Sequence, residues 1–237
     1  MSAVSTNDAN SEAREFRIQI SEELTKPPYC LALHPVIEKL EHRELTQAQI
    51  AGWMGQIYRQ TVEVVRWLGY CYAKCPIMSV RREIFNNLVE EELGGFSNTD
   101  AHFHLAARVA VAAGAKREDL DHVPLMPETK AAIEYGQEIY IREPNWLIGL
   151  GGGFGFETQS PACFDKIGRA LRKSYGFTSE QTTFFDVHVE ADADHGDAII
   201  ALFEKYATTR EERADFRNKA LTMSERYWGM LSTYKYF

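Results

Sequence analysis

Residues 184–195 read FFDVHVEADADH, and this stretch decides how the rest of the chain is read. His188, Asp192 and His195 stand at i, i+4 and i+7. On a helix turning about 100° per residue they fall within a stripe roughly 60° wide. Phe184 precedes them on that stripe, and Ile199, Leu202 and Tyr206 follow. Two imidazoles and a carboxylate thus occupy places where an amphipathic helix ordinarily buries apolar groups. Buried polar groups need partners, and one divalent metal would satisfy all three. A solvated or hydrogen-bonded polar face would read the same, so the neighbouring helices have to decide.

The 237 residues are 45% hydrophobic and 25% charged, with a net charge of −8. That is enough chain for one sizeable core. The acidic balance and the lack of a dense Lys/Arg cluster argue against a nucleic-acid partner. No apolar run approaches the ~20 residues of a membrane span, so no membrane role is expected. The N-terminus lacks the basic and apolar regions of a secretory signal. Residues 1–12 are expected to form a disordered polar tail, with 13–237 as a single domain. The four cysteines, Cys30, Cys71, Cys75 and Cys163, are too few and scattered for a zinc site or a disulfide framework. They fit a reducing cytoplasm.

Outward from the opening stretch, helical periods dominate. Thr46 and Gln49 form a capping box for a long helix that Cys75-Pro76 stops. Ser79 is the expected cap of the next helix. Its stripe is Ile84, Phe85, Leu88 and Val89, with Glu91 and Glu92 on or beside it and Glu90 well off it. Gly94-Gly95 ends that helix. Asn98, Thr99 or Asp100 then restarts one that carries His102. A helix runs from about Pro127 to Ile141. From Asn145 the pattern is helical despite its glycines, with Leu147, Leu150, Phe154, Glu157, Phe164 and Ile167 on one face and a kink at Pro161. Thr178 and Gln181 cap the helix of the opening stretch, and a last helix starts near Thr209. No alternating strand pattern or internal repeat is present. The reading is an all-α, single-domain helical bundle of about seven helices.

Three regions therefore present inward ligands: Glu91 with His102, then Glu157, then His188, Asp192 and His195. Three carboxylates and three imidazoles, without sulfur, suit iron, with manganese as the other fit, and two ions better than one. The ferritin-like bundle would carry two Glu-x-x-His motifs, and this chain has none.

NLVEEELGG followed by AHFHL, then GFETQSP, then FFDVHVEADADH together resemble the haem-oxygenase-like di-iron oxidases. Those enzymes share their fold with the thiaminase (TenA) and pyrroloquinoline-quinone synthase (PqqC) proteins. The similarity runs from about His34 to Tyr206. It implies a haem-oxygenase-like fold and two irons held by Glu91, His102, Glu157, His188, Asp192 and His195, with O₂ as co-substrate. Glu92 and His104 are the alternative ligands beside Glu91 and His102. The implied activity is oxidation of a small molecule, foremost an amino acid, by bond cleavage, N-oxidation or nitrile formation. The alternatives are a fatty-acid decarboxylase forming an alkene, or a metal-free enzyme of the same fold. A homodimer and an external electron donor are further expectations of the resemblance.

Two departures bear on this. Glu91 and His102 are eleven apart, about 16 Å along an unbroken helix, so Gly94-Gly95 must bend the chain to bring His102 back. The tyrosine consumed in the p-aminobenzoate-forming branch is replaced by Ile37, and Lys166 sits one position from that branch's lysine. Finally, Gly149, Gly151, Gly152, Gly153 and Gly155 read either as close helix packing or as a pocket widened before Glu157. The pocket reading names Gly153 and Phe154, with Arg59 and Arg66 as partners for a substrate carboxylate, and favours an aromatic or indole-bearing amino acid.

Overall fold

The computed structural model describes residues 6–207 and 209–237, with side chains from residue 15 onward except 190–195 and 197. Ten α-helices and no strand occur among the described residues. They are α1 (Thr6–Glu23), α2 (Pro35–Glu41), α3 (Gln47–Lys74), α4 (Met78–Leu93), α5 (His102–Ala112), α6 (Pro127–Gly136), α7 (Trp146–Glu157), α8 (Ser160–Tyr175), α9 (Thr183–Tyr206) and α10 (Arg210–Leu231). The all-α expectation holds. The count exceeds about seven partly because α7 and α8 are separate helices. The expected kink is a break at Thr158-Gln159, with Pro161 in the first turn of α8, where its missing N–H costs nothing. α1 begins at Thr6, within the stretch read as a tail.

The local signals act largely as written. Thr46 and Gln49 close their capping box at the start of α3, and Thr178 and Gln181 exchange the same bonds before α9. Thr209 and Glu212 do so for α10. Ser79 does not cap α4; the helix starts one residue earlier, after Ile77, without a side-chain cap. Phe85 is about half exposed rather than part of the α4 stripe, and lies against Tyr72.

Most buried residues form one core between α3, α5, α8 and α9, with Trp53, Met54, Leu105, Ile167 and Phe185 among its centre. A smaller cluster joins Phe16 and Ile20 of α1 to α7, α9 and α10. α7 is buried on every side from Leu147 to Gly155. Its glycines let it sit hard against its neighbours. A Cβ on Gly151 would stand 2.7 Å from the Phe216 carbonyl oxygen of α10, and one on Gly155 would collide with the Ala220 carbonyl. The packing reading of the glycine run therefore holds at these positions. Glu157, at the C-terminal end of this wedged helix, faces the core beside α9.

Candidate metal centre

α4 stops at Leu93 because Gly94 adopts φ +61°, the left-handed helix end. A Cβ there would lie 2.5 Å from the Thr99 carbonyl oxygen, so the turn closes only with glycine. The chain then doubles back, and α5 opens at His102 on an Ala101 N-cap rather than on Asn98, Thr99 or Asp100. Glu90 holds this turn. Its Oε2 accepts from the backbone N–H of Phe96 at 2.7 Å and of Ser97 at 3.0 Å. Its Oε1 faces His102 Nε2 at 3.2 Å.

That arrangement sets the chemistry of His102. Burial tends to raise the Glu90 carboxyl, but hydrogen bonds from Ser97, Phe96 and His102 outweigh it and bring the pKa down to about 2. A permanent carboxylate at Nε2 keeps a proton there and turns Nδ1 toward the interior. Burial lowers the His102 imidazole, yet Glu91 and Glu90 together raise it to about 9. Without a cation at the site, His102 carries both protons at neutral pH, and a metal would replace the one on Nδ1.

His102 Nδ1 lies 3.1 Å from Glu91 Oε2. The two form an ion pair, and among the described residues the fully buried Nδ1 has no further hydrogen-bond partner. His188, on α9, approaches from the other side, its ring centroid 4.6 Å from that of His102. Its Nδ1 donates to the Phe184 carbonyl at 2.6 Å, which leaves the lone pair on Nε2. One donor atom each from Glu91, His102 and His188 lie within 4.8 Å of one another. Three donors bonded at roughly 2.1 Å to one ion stand about 3–3.6 Å apart when spread around it, so the trio surrounds a space that an ion would draw closer. The buried Nδ1, oriented through Glu90 and facing Glu91, and the O/N/N donor set fit a first-row transition ion.

Glu157 lines the same cavity as Glu91 and His188. Asp192 and His195 lie on the continuous backbone of α9, but their side chains are outside the described residues. Glu92 and His104 are exposed, His104 lying beside Phe103. Glu90 was missed by the sequence reading because it falls off the apolar stripe of α4. Three successive glutamates before a glycine pair were the available signal, since a helix end needs an acceptor for the N–H groups of the turn beyond it.

The pocket expectations divide. Gly153 lines the cavity. Phe154 does not: it points to the smaller apolar cluster and packs on Phe216, because successive helix residues face about 100° apart. Arg59 is turned away on α3 and donates to the Val123 carbonyl at 2.7 Å. Arg66 is exposed and pairs with Glu63 at 3.0 Å. Neither arginine reaches the cavity, which α3 faces instead with Gln60, Thr61 and Val64.

An all-α bundle with a buried carboxylate–imidazole cluster between α4, α5 and α9 defines a candidate metal-binding helical protein. A family model described as iron-containing redox enzyme matches residues 51–228. The chain therefore belongs to that family of haem-oxygenase-like iron-containing redox enzymes. A 4-aminobenzoate synthase from Nitrosomonas europaea is 28% identical over 211 residues, covering 85% of this chain and 84% of that protein. Among solved structures, a TenA homologue from Pseudomonas syringae superposes with TM-score 0.76 at 11% identity, covering 94% of this chain and 93% of that one. A domain of unknown function with a haem-oxygenase-like fold from Shewanella denitrificans gives 0.70 at 18% identity, covering 99% and 94%. These likenesses extend the fold over essentially the whole chain.

Proposed function

We propose that this protein is a non-haem di-iron oxidase that uses O₂ to oxidise a small amino-acid-type molecule. The observation that carries the reading is the buried trio of Glu91, His102 and His188, whose donor atoms lie within 4.8 Å of one another. Glu157 would contribute to the same centre from α7, and Asp192 and His195 from α9, making six ligands for two irons, with manganese as the alternative ion. Bound iron would supply electrons to O₂. The protein's own part is to keep both imidazoles in the ligating tautomer, through Glu90 for His102 and the Phe184 carbonyl for His188. The apolar wall of Phe156, Phe164 and Phe184 excludes bulk water from that chemistry.

A metal-free hydrolase of the same fold would need an activated thiol. Burial instead pushes Cys163 and Cys71 up to about 12, so neither is a nucleophile at neutral pH. The relatives named 4-aminobenzoate synthase support an oxidase, but a protein-consuming reaction is not part of this proposal. Ile37 is buried where that branch has its tyrosine, and Lys166 is held by the Ala32 carbonyl at 2.9 Å. A cytoplasmic homodimer supplied by an external electron donor completes the reading. The four free cysteines suit that compartment, and no described helix is long and apolar enough to cross a membrane.

The test is O₂ consumption by the Fe(II)-loaded protein against a panel of amino acids and fatty acids. Uptake stimulated by an amino acid, with a new product detected by mass spectrometry, is the expected result. Stimulation by fatty acids alone would replace the amino acid with an acyl substrate, and no stimulation by any member would overturn the reading.

A further inference from the structure

Two cavities meet at Glu157, and they differ in size and lining. The inner one, beside Glu91 and His188, holds about 70 Å³ and is walled by aromatic rings, among them Trp67, Phe164 and Tyr227, together with aliphatic side chains such as Leu31, Ile57 and Leu231. That is room for dioxygen or a few waters, far below the roughly 300–1,000 Å³ of an organic-ligand pocket. The outer cavity, between α4, α7 and α9, holds about 710 Å³ and opens to solvent. The apolar part of its wall is mostly aliphatic, with Val80, Ile84, Leu150, Val187, Ile199 and Leu202, and among the described residues the aromatic rings on it are Phe96 and Tyr140.

Five residues line both cavities and so mark the neck between them: Leu68, Asn87, Tyr140, Gly153 and Glu157. Gly153 is the one of the five without a side chain. A Cβ there would stand 3.2 Å from Ile199 Cδ1, 3.3 Å from the Tyr140 hydroxyl and 3.4 Å from Glu157 Oε1. Those three groups come from α9, the π-helical turn at Gln137–Arg142 and α7. Unlike Gly151 and Gly155, which meet backbone, Gly153 faces only side-chain atoms around an opening. Its missing side chain keeps the neck open rather than letting a helix approach.

We infer that the organic substrate binds in the outer cavity, with an apolar, predominantly aliphatic body along α4 and α9, and reaches Glu157 through the neck at Gly153. This rests on the di-iron reading above, and it replaces the aromatic body expected from the glycine run with an aliphatic one. Two exposed charges, Glu83 and Lys205, line the same cavity and stand ready for a polar end left at the mouth. Glu90 also lines it, but its carboxylate is already taken by the turn and by His102. The inner cavity is left for dioxygen.

The test uses the intact protein and binding rather than turnover. N-phenyl-1-naphthylamine fluorescence is titrated with wild type, then competed with decanoate and with decylamine. Ala198 and Ala201 are exposed and line the outer cavity, so Ala198→Trp and Ala201→Trp add bulk there without touching the core. The expected result is saturable binding displaced by at least one alkyl competitor, weakened about tenfold or more in a tryptophan variant. Stronger displacement by decanoate assigns the polar end to Lys205, and by decylamine to Glu83. No saturable binding, no displacement by either competitor, or unchanged affinity in both variants would overturn the inference. Fe(II) binding measured on the same samples separates the two readings. Probe binding without iron leaves the cavity assignment standing and removes the metal centre, and iron binding without probe does the reverse.

Discussion

The two sides of the candidate metal centre are built on opposite plans. On α9 the proposed ligands His188, Asp192 and His195 lie along one uninterrupted helix, and the helical period alone would set their stripe. On the other side, Glu91 and His102 belong to different helices, and a turn held by Gly94 and Glu90 brings them together. The first plan needs only helix propensity and burial. The second needs a left-handed residue, three hydrogen bonds to one carboxylate and a histidine tautomer. The α4–α5 side should therefore be the one that fails to single substitutions outside the ligands themselves.

The largest effect belongs to the ligands. His188→Ala is expected to abolish turnover and lower Fe(II) affinity by orders of magnitude while circular dichroism stays helical. Unchanged turnover would remove His188 from the centre. Next comes Glu90→Gln, which keeps the size of the side chain but loses the permanent charge behind His102. Fe(II) affinity should fall about 10–100-fold, the usual cost of losing a carboxylate behind a ligating histidine. Wild-type affinity in this variant would show that the turn alone positions His102. Gly94→Ala forces a side chain into a left-handed conformation against the Thr99 carbonyl and should cost roughly 1–3 kcal/mol in thermal or denaturant unfolding. The matching change on the α9 side, Ala198→Ser on an exposed helical position, should cost no more than about 0.5 kcal/mol. Equal losses would erase the contrast between the two plans.

A further test concerns a buried group remote from the centre, with no effect expected on iron binding. Burial lowers the His34 imidazole, with a Trp228 hydrogen bond opposing, to about 4 against 6.5 in the unfolded chain. His34 caps α2 through Nδ1, which accepts from Val36 N–H, and meets Ser232 through Nε2. Between pH 6.5 and 4 the unfolded chain binds the extra proton, so stability is complete above pH 6.5 and falls on acidification by up to roughly 3 kcal/mol. His34→Asn keeps a capping group and should flatten that part of the stability–pH curve relative to wild type. An unchanged acid slope would show that His34 does not titrate in this way.

How much was legible follows from the same contrast. The all-α class, the long α3 with its capping box and the inward place of His188 on α9 were readable because period and caps are local properties of consecutive residues. The need for a bend at Gly94-Gly95 was also readable, from spacing alone. Glu90 was not, because its partners are the N–H groups of a turn whose path no periodicity describes. Phe154 and the arginines were misassigned for a related reason. α7 is buried all round, so hydrophobicity offers no face to choose, and Arg59 lies on α3 next to Gln60 and only two before Thr61, both of which do face the cavity. The glycine run held two functions at once, close packing at Gly151 and Gly155 and an open neck at Gly153, and only the positions of Phe216, Ala220 and Ile199 tell them apart.

The central claim is that two helices joined by a turn and one continuous helix share a metal centre. Anaerobic equilibrium titration with Fe(II), on wild type and on His102→Ala and His188→Ala, tests it most directly. The account predicts about two Fe(II) per wild-type chain, which a six-ligand oxygen–nitrogen set suits better than one, and a loss of tight sites in both variants although the histidines come from different helices. Near-zero iron in the wild type, or full wild-type stoichiometry in either variant, would contradict it.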